Sequence, residues 1–102
     1  MDKQKVYEAL ARELRVVRLM IMHIECDNDF YELLGKTRLN GLSKAERWVD
    51  EVRSKVDEHY ARNSGKAGPD LFYGGFQQEL IEQTADSVFE SLKNGGDNSE
   101  QG

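Results

Sequence analysis

The chain has a single cysteine and a single proline among 102 residues. A lone Cys26 excludes an intramolecular disulfide framework and favours a reducing compartment, so a cytoplasmic location is expected. Strand signals are also scarce. No alternating β-branched run stands between turn residues, which removes the usual mark of a sheet. Long apolar runs are absent as well. The most apolar stretch, Val16 to Ile24, is nine residues long and contains Arg18 and His23. A membrane span needs about 20 apolar residues, so no membrane contact is expected. Met1-Asp2-Lys3-Gln4-Lys5 leads into a charged helical pattern rather than an apolar segment, so no cleavable leader is expected. Positive charge is the scarcer sign, with 14 basic against 19 acidic side chains and a net charge of −5.

Helical periodicity is what the sequence does contain. Val6, Leu10, Leu14, Val17, Ile21 and Ile24 recur at steps of three and four, which puts them on one face of a helix from about Lys3 to Cys26. Arg12, Arg15 and Arg18 fall off that line. Val16, Leu19, Met20 and Met22 widen the stripe in the second half. Asp27-Asn28-Asp29 breaks the helix with turn-favouring residues. Asp29 is a candidate cap for a short helix, with Glu32 as reciprocal partner and Gly35 as its stop. Residues 36–42 read as a polar linker turning at Asn40-Gly41. Ser43-Lys44-Ala45-Glu46 has the form of a capping box for a helix to about Arg62. Ala45, Trp48, Val49, Val52, Val56 and Tyr60 form its expected inner face, with Trp48 as a core anchor. A last helix is expected from about Phe76 to Lys93, with Phe76, Leu80, Ile81, Thr84, Ala85, Val88, Phe89 and Leu92 inward. The implied fold class is all-α: a small irregular bundle of three main helices plus one short helix. Residues 1–94 form one helical domain, and residues 95–102 an acidic tail expected to be disordered.

Chemical motifs fail one by one. His23-x-x-Cys26 spaces two metal ligands one turn apart, but the chain holds three cysteine and histidine residues in all, and a structural zinc normally takes four. Cys26 with His59 offers a thiol and a base with nothing local to activate the thiol. Gly35-Lys36-Thr37 resembles the end of a phosphate loop, yet Phe30 stands where its first glycine belongs. Asp27-Asn28-Asp29 fails as a calcium loop, with Glu32 at the glycine position and Arg38 at the twelfth. No cofactor, no metal and no enzymatic activity are expected.

Charge is unevenly placed. Residues 1–34 carry −2, residues 35–66 carry +3 and residues 67–102 carry −6. Glu79, Glu82, Asp86 and Glu90 form a carboxylate ridge on the last helix, suited to a basic partner surface. Leu71, Phe72, Tyr73 and Phe76 around Gly74-Gly75 are either a core plug or an aromatic anchor for a partner. Leu19, Met20 and Met22 point away from the main stripe, which marks the second half of the first helix for self-association, as a homodimer in the simplest case. The functional expectation is a small non-enzymatic helical interaction protein that binds and modulates another macromolecule, as accessory or inhibitor proteins of bacteria and phages do. The alternative is a regulator that contacts DNA or RNA through Lys36, Arg38, Lys44, Arg47 and Arg53. Interleaved acids and a net negative charge weigh against the alternative, since phosphate neutralisation dominates such binding.

Overall fold

The computed structural model describes residues 2–64 and 71–95. These form three helices and, among the described residues, no strand: α1 (Lys3–Cys26), α2 (Asn28–Ser64) and α3 (Gln78–Lys93). No described helix is long and apolar enough to cross a membrane.

Local chemistry accounts for most helix ends. Asp2 caps α1, its carboxylate accepting from the amides of Gln4 at 3.0 Å and Lys5 at 3.5 Å. Asp27 closes α1 and opens α2. Its amide donates to the Ile24 carbonyl at 3.3 Å, while its carboxylate accepts from the Phe30 amide at 3.1 Å. The cap of the second helix is therefore Asp27, not Asp29, because Asp27 already stands in extended backbone with its side chain one turn ahead of a free amide. Gly95, at φ 88°, ends the chain's last helical turn with its amide on the Leu92 carbonyl. Residues 96–102 of the expected tail lie outside the described residues.

The separate short helix and the 36–42 linker do not occur. Residues 28–34 run into the rest of α2 across a kink at Gly35, whose φ of 75° and ψ of 171° suit only glycine. Gly35 thus breaks helical geometry as its residue type demands, but the helix resumes at once. The turn signal at Asn40-Gly41 costs about 1 kcal/mol within a helix. Leu39 and Leu42, one turn apart and both partly buried, offset it. Ser43 consequently sits inside a helix and caps nothing. Its hydroxyl instead donates to the Glu25 carboxylate at 3.1 Å.

Cross-helix contacts fix the topology. Gln4 meets Tyr60, Tyr7 meets His59, Arg18 meets Asp50 and Glu25 meets Ser43, so α2 runs antiparallel to α1. Arg12 meets Gln77, His23 meets Asp86 and Asp27 meets Lys93, so α3 runs parallel to α1. Both helices pack on α1, and their own backbones do not approach each other. They touch through side chains at one end, where Phe89 lies edge-on to His23 and Phe30, and Lys93 reaches Asp29.

The core is small. Ala11, Tyr60, Leu71 and Phe72 are buried together, with Tyr7, Leu14, Val56 and Phe76 packed partly against them, and Ile81 and Ala85 seat α3. The faces differ from the periodicity reading. Val49, Val56 and Tyr60 turn inward on α2, whereas Trp48 is 66 % exposed and anchors no core. The rotation follows from two requirements. Arg18 bonds Asp50 at 2.8 Å and lies 3.6 Å from Glu46, and Tyr60 must reach Phe72. Those residues define one side of α2, and Trp48 is not on it.

Candidate interaction surface

Two features stand out, one at the back of α1 and one at its front. At the back, the Arg15 side chain is buried, 6 % exposed. Its guanidinium donates to the carbonyls of Leu71 at 3.2 Å, Phe76 at 2.7 Å and Gly74 at 2.6 Å, and to the Gln78 side-chain oxygen. A turn rich in glycine supplies few side chains of its own to satisfy its carbonyls, and one arginine fork does it here. Burial and the neighbouring Arg53 both lower the Arg15 pKa, while Glu82 acts against them. Periodicity placed Arg15 off the apolar line and gave no hint of this role. The only sequence cue was an arginine next to the most apolar stretch of the chain, Val16 to Ile24, together with a later segment short of hydrogen-bonding side chains.

This clamp settles most of the aromatic segment. Leu71 and Phe72 are core residues, so they offer no side-chain surface to a partner, and Phe76 packs against the same cluster. The aromatics are drawn inward because Arg15 pins the turn that carries them. Tyr73 alone remains exposed, with the Arg53 guanidinium 4.4 Å from its ring centre.

At the front, no helix among the described residues lies over α1. Val6, Leu10 and Val17, which periodicity assigned to the core, are 44 %, 37 % and 42 % exposed. Their steps of four and seven keep them on one line. Trp48 and Val52 of α2 are exposed too. Between the start of α1 and the end of α2 lies a groove of about 680 Å³. Val6, Leu10, Val52 and Val56 form its floor, and Lys3, Lys55 and His59 stand along it. His59 Nδ1 and the Tyr7 hydroxyl are 2.6 Å apart at its edge.

The other expected site residues are scattered. All four ridge carboxylates of α3 are exposed. Glu82 accepts from Gln78 at 2.6 Å, and Asp86 pairs with His23 Nε2 at 2.9 Å, which leaves Glu79 and Glu90 as the unengaged members among the described residues. Leu19 and Met22 turn toward α3 and line a cleft of about 310 Å³ with Cys26, Glu82 and Asp86. Met20 lies one turn beyond Val17 and is partly buried. Lys36, Arg38, Lys44 and Arg47 are exposed, and Arg38 donates to its own helix at the Leu34 carbonyl. Arg53 is engaged by Asp50 at 2.7 Å and by Tyr73, with only 13 % of its side chain exposed, so it does not belong to an accessible basic patch.

Cys26 and His59 sit near opposite ends of α1, about 28 Å apart along the helix by the residue rise. Among the described residues no group of three or more histidine, cysteine or acidic side chains could hold a metal ion. Asp27 and Lys93 form the tightest exposed ion pair, at 2.5 Å. The hydrogen bond from Lys93 and that from the Phe30 amide lower the Asp27 pKa, and the same bond to Asp27 raises that of Lys93. No family model matches this chain, and no curated protein or solved structure matches it either.

Proposed function

We propose that this chain is a small non-enzymatic helical interaction protein that binds another macromolecule, with the uncovered front of α1 and the adjoining edge of α2 as its docking surface. One observation carries the reading. Half of the apolar line of α1 is on the outside, at Val6, Leu10 and Val17, beside Trp48 and Val52, while Leu14, Ile21 and Ile24 are partly buried. Exposed apolar surface of this kind commonly marks interaction sites in proteins of this size. The test is retention of partners from a host lysate by the immobilised full chain, compared with Leu10→Asp. A protein held by the wild type and lost by the variant is expected. Identical retention by both would sink the reading.

Self-association belongs to the same proposal. Val17 carries the exposed face toward the second half of α1 and supports a dimer there better than Leu19, Met20 and Met22, which are partly buried. Light scattering should give twice the 11.7 kDa chain mass. The nucleic-acid alternative loses Arg53 and gains no observation in its favour.

A further inference from the structure

We propose that the groove between the start of α1 and the end of α2 takes a short amphipathic helix from an acidic partner protein. This occupant rests on the interaction reading above and gives the partner its chemistry.

Shape points to a helix. An antiparallel helix pair has two grooves, one on each side. At the back, Leu71 and Phe72 fill the groove of α1 and α2. At the front no described residue does, and the groove runs from Val52 to Asn63 on α2, about 16 Å or three helical turns. A helix laid there with side chains at every third and fourth position would cover Val6, Leu10, Val52 and Val56 together, as helix-in-groove recognition does.

Charge selects the kind of helix. The chain is acidic overall, at −5. Yet the charged residues that line this groove are Lys3 and Lys55, with His59 beside them and no carboxylate. A groove of opposite sign to its own protein favours an occupant that carries acids along its flanks. The remaining chain segments do not suit it. Residues 96–102 contain no apolar side chain, residues 65–70 contain one alanine and one proline as their only apolar groups, and Met1 is a single side chain against a groove three turns long. A second copy, paired groove on groove, would bring Lys3 and Lys55 against lysines.

The test uses the full chain and a fluorescein-labelled model peptide of about 18 residues, roughly five turns. Leucines at three- and four-residue spacing form one face, on an alanine and glutamate background. A twin peptide has lysine in place of each glutamate. Fluorescence anisotropy should show saturable binding of the acidic peptide and none of the twin. Lys3→Glu with Lys55→Glu should weaken binding on the order of tenfold. Val52→Asp should abolish it with helical circular dichroism unchanged, since Val52 is exposed.

Equal binding of the two peptides, binding of neither, or indifference to the lysine exchanges would overturn the proposal. A dimer mass that falls to 11.7 kDa on Val52→Asp would assign the groove to a second copy and overturn it as well. If both peptides fail while a lysate partner still depends on Leu10, the interaction reading stands and the acidic-helix inference alone is lost.

Discussion

On the side that faces α2, α3 and the 71–76 turn, α1 buries a guanidinium; on the opposite side it exposes Val6, Leu10 and Val17. The usual preference is the reverse, with charge outside and aliphatic groups inside. Each half of the inversion has its own cause. Arg15 is held inside because three carbonyls and one amide oxygen surround it, so both terminal nitrogens of its guanidinium are satisfied without water. The aliphatic line is outside because α1 has two helical neighbours, and neither lies over that line. The back is specified by hydrogen bonds, whereas at the front no described residue covers Val6, Leu10 and Val17.

That contrast makes its largest prediction at the back. Arg15→Ala should cost on the order of 3 kcal/mol or more, since it strands buried carbonyls at 1–3 kcal/mol apiece. Urea unfolding followed by circular dichroism measures it. Arg15→Lys should rescue only part, because an ammonium cannot reproduce the planar fork. A loss below that of an ordinary surface substitution would break the comparison.

Next is the kink. Gly35→Ala meets no steric obstacle, as a Cβ there has nothing within 4 Å. The backbone itself resists at φ 75°, so destabilisation of about 1–3 kcal/mol is expected in thermal melts. An unchanged melting temperature would mean that residues 28–34 do not hold their angle to the rest of α2.

The front should respond weakly. Trp48→Ala and Leu10→Gln should each change monomer stability by about 0.5 kcal/mol or less, as surface substitutions do. A core tryptophan would instead cost roughly 3–5 kcal/mol. Measured at low concentration, a large loss in either variant would show that the front is covered within one chain.

The smallest effect is electrostatic. Asp27 has a lowered pKa, so the Asp27–Lys93 contact contributes above the ordinary aspartate value near 3.9 and is lost as pH falls through the lower folded value. Lys93 has a raised pKa, so its share is present below about 10.4 and lost as pH rises through the higher folded value. Protection of the amides in the last turn of α3, taken relative to their intrinsic exchange rate at each pH, should therefore fall at both extremes in the wild type. Asp27→Asn should flatten that response.

Much of the helix content was legible, for reasons that are local. The break at Asp27-Asn28-Asp29 acts through its own backbone neighbours, and the three-and-four spacing survives any tertiary arrangement, whereas the caps at Asp2 and Asp27 were not read from the sequence. Gly35 was legible as a break but not as a kink, because the path of the chain beyond a positive-φ glycine depends on the packing of the next turns. Which face turns inward was not legible. On α1 the stripe of Val6, Leu10 and Val17 is the better amphipathic signal, yet the core takes Ala11 and Arg15. On α2, the ion pairs of Arg18 turn Trp48 outward. Periodicity detects that a helix has an apolar side without saying which neighbour will lie on it. The candidate surface was half legible. Surplus apolar character in α1 was visible, but its location depends on where the Arg15 clamp draws the 71–76 turn.

α1 is the only helix on which both others pack, and it precedes them in the chain. During synthesis it is complete 67 residues before Lys93 emerges. At about 5–20 residues per second, that leaves roughly 3–13 s in which a finished helix waits for its partners. α2 is complete 38 residues after Cys26, so the last part of that interval is the wait for α3 alone, and among the described residues nothing covers Val6, Leu10 and Val17 even then. The front of α1 is thus open to contact from the first stage of synthesis, whereas its back closes only when α3 is complete.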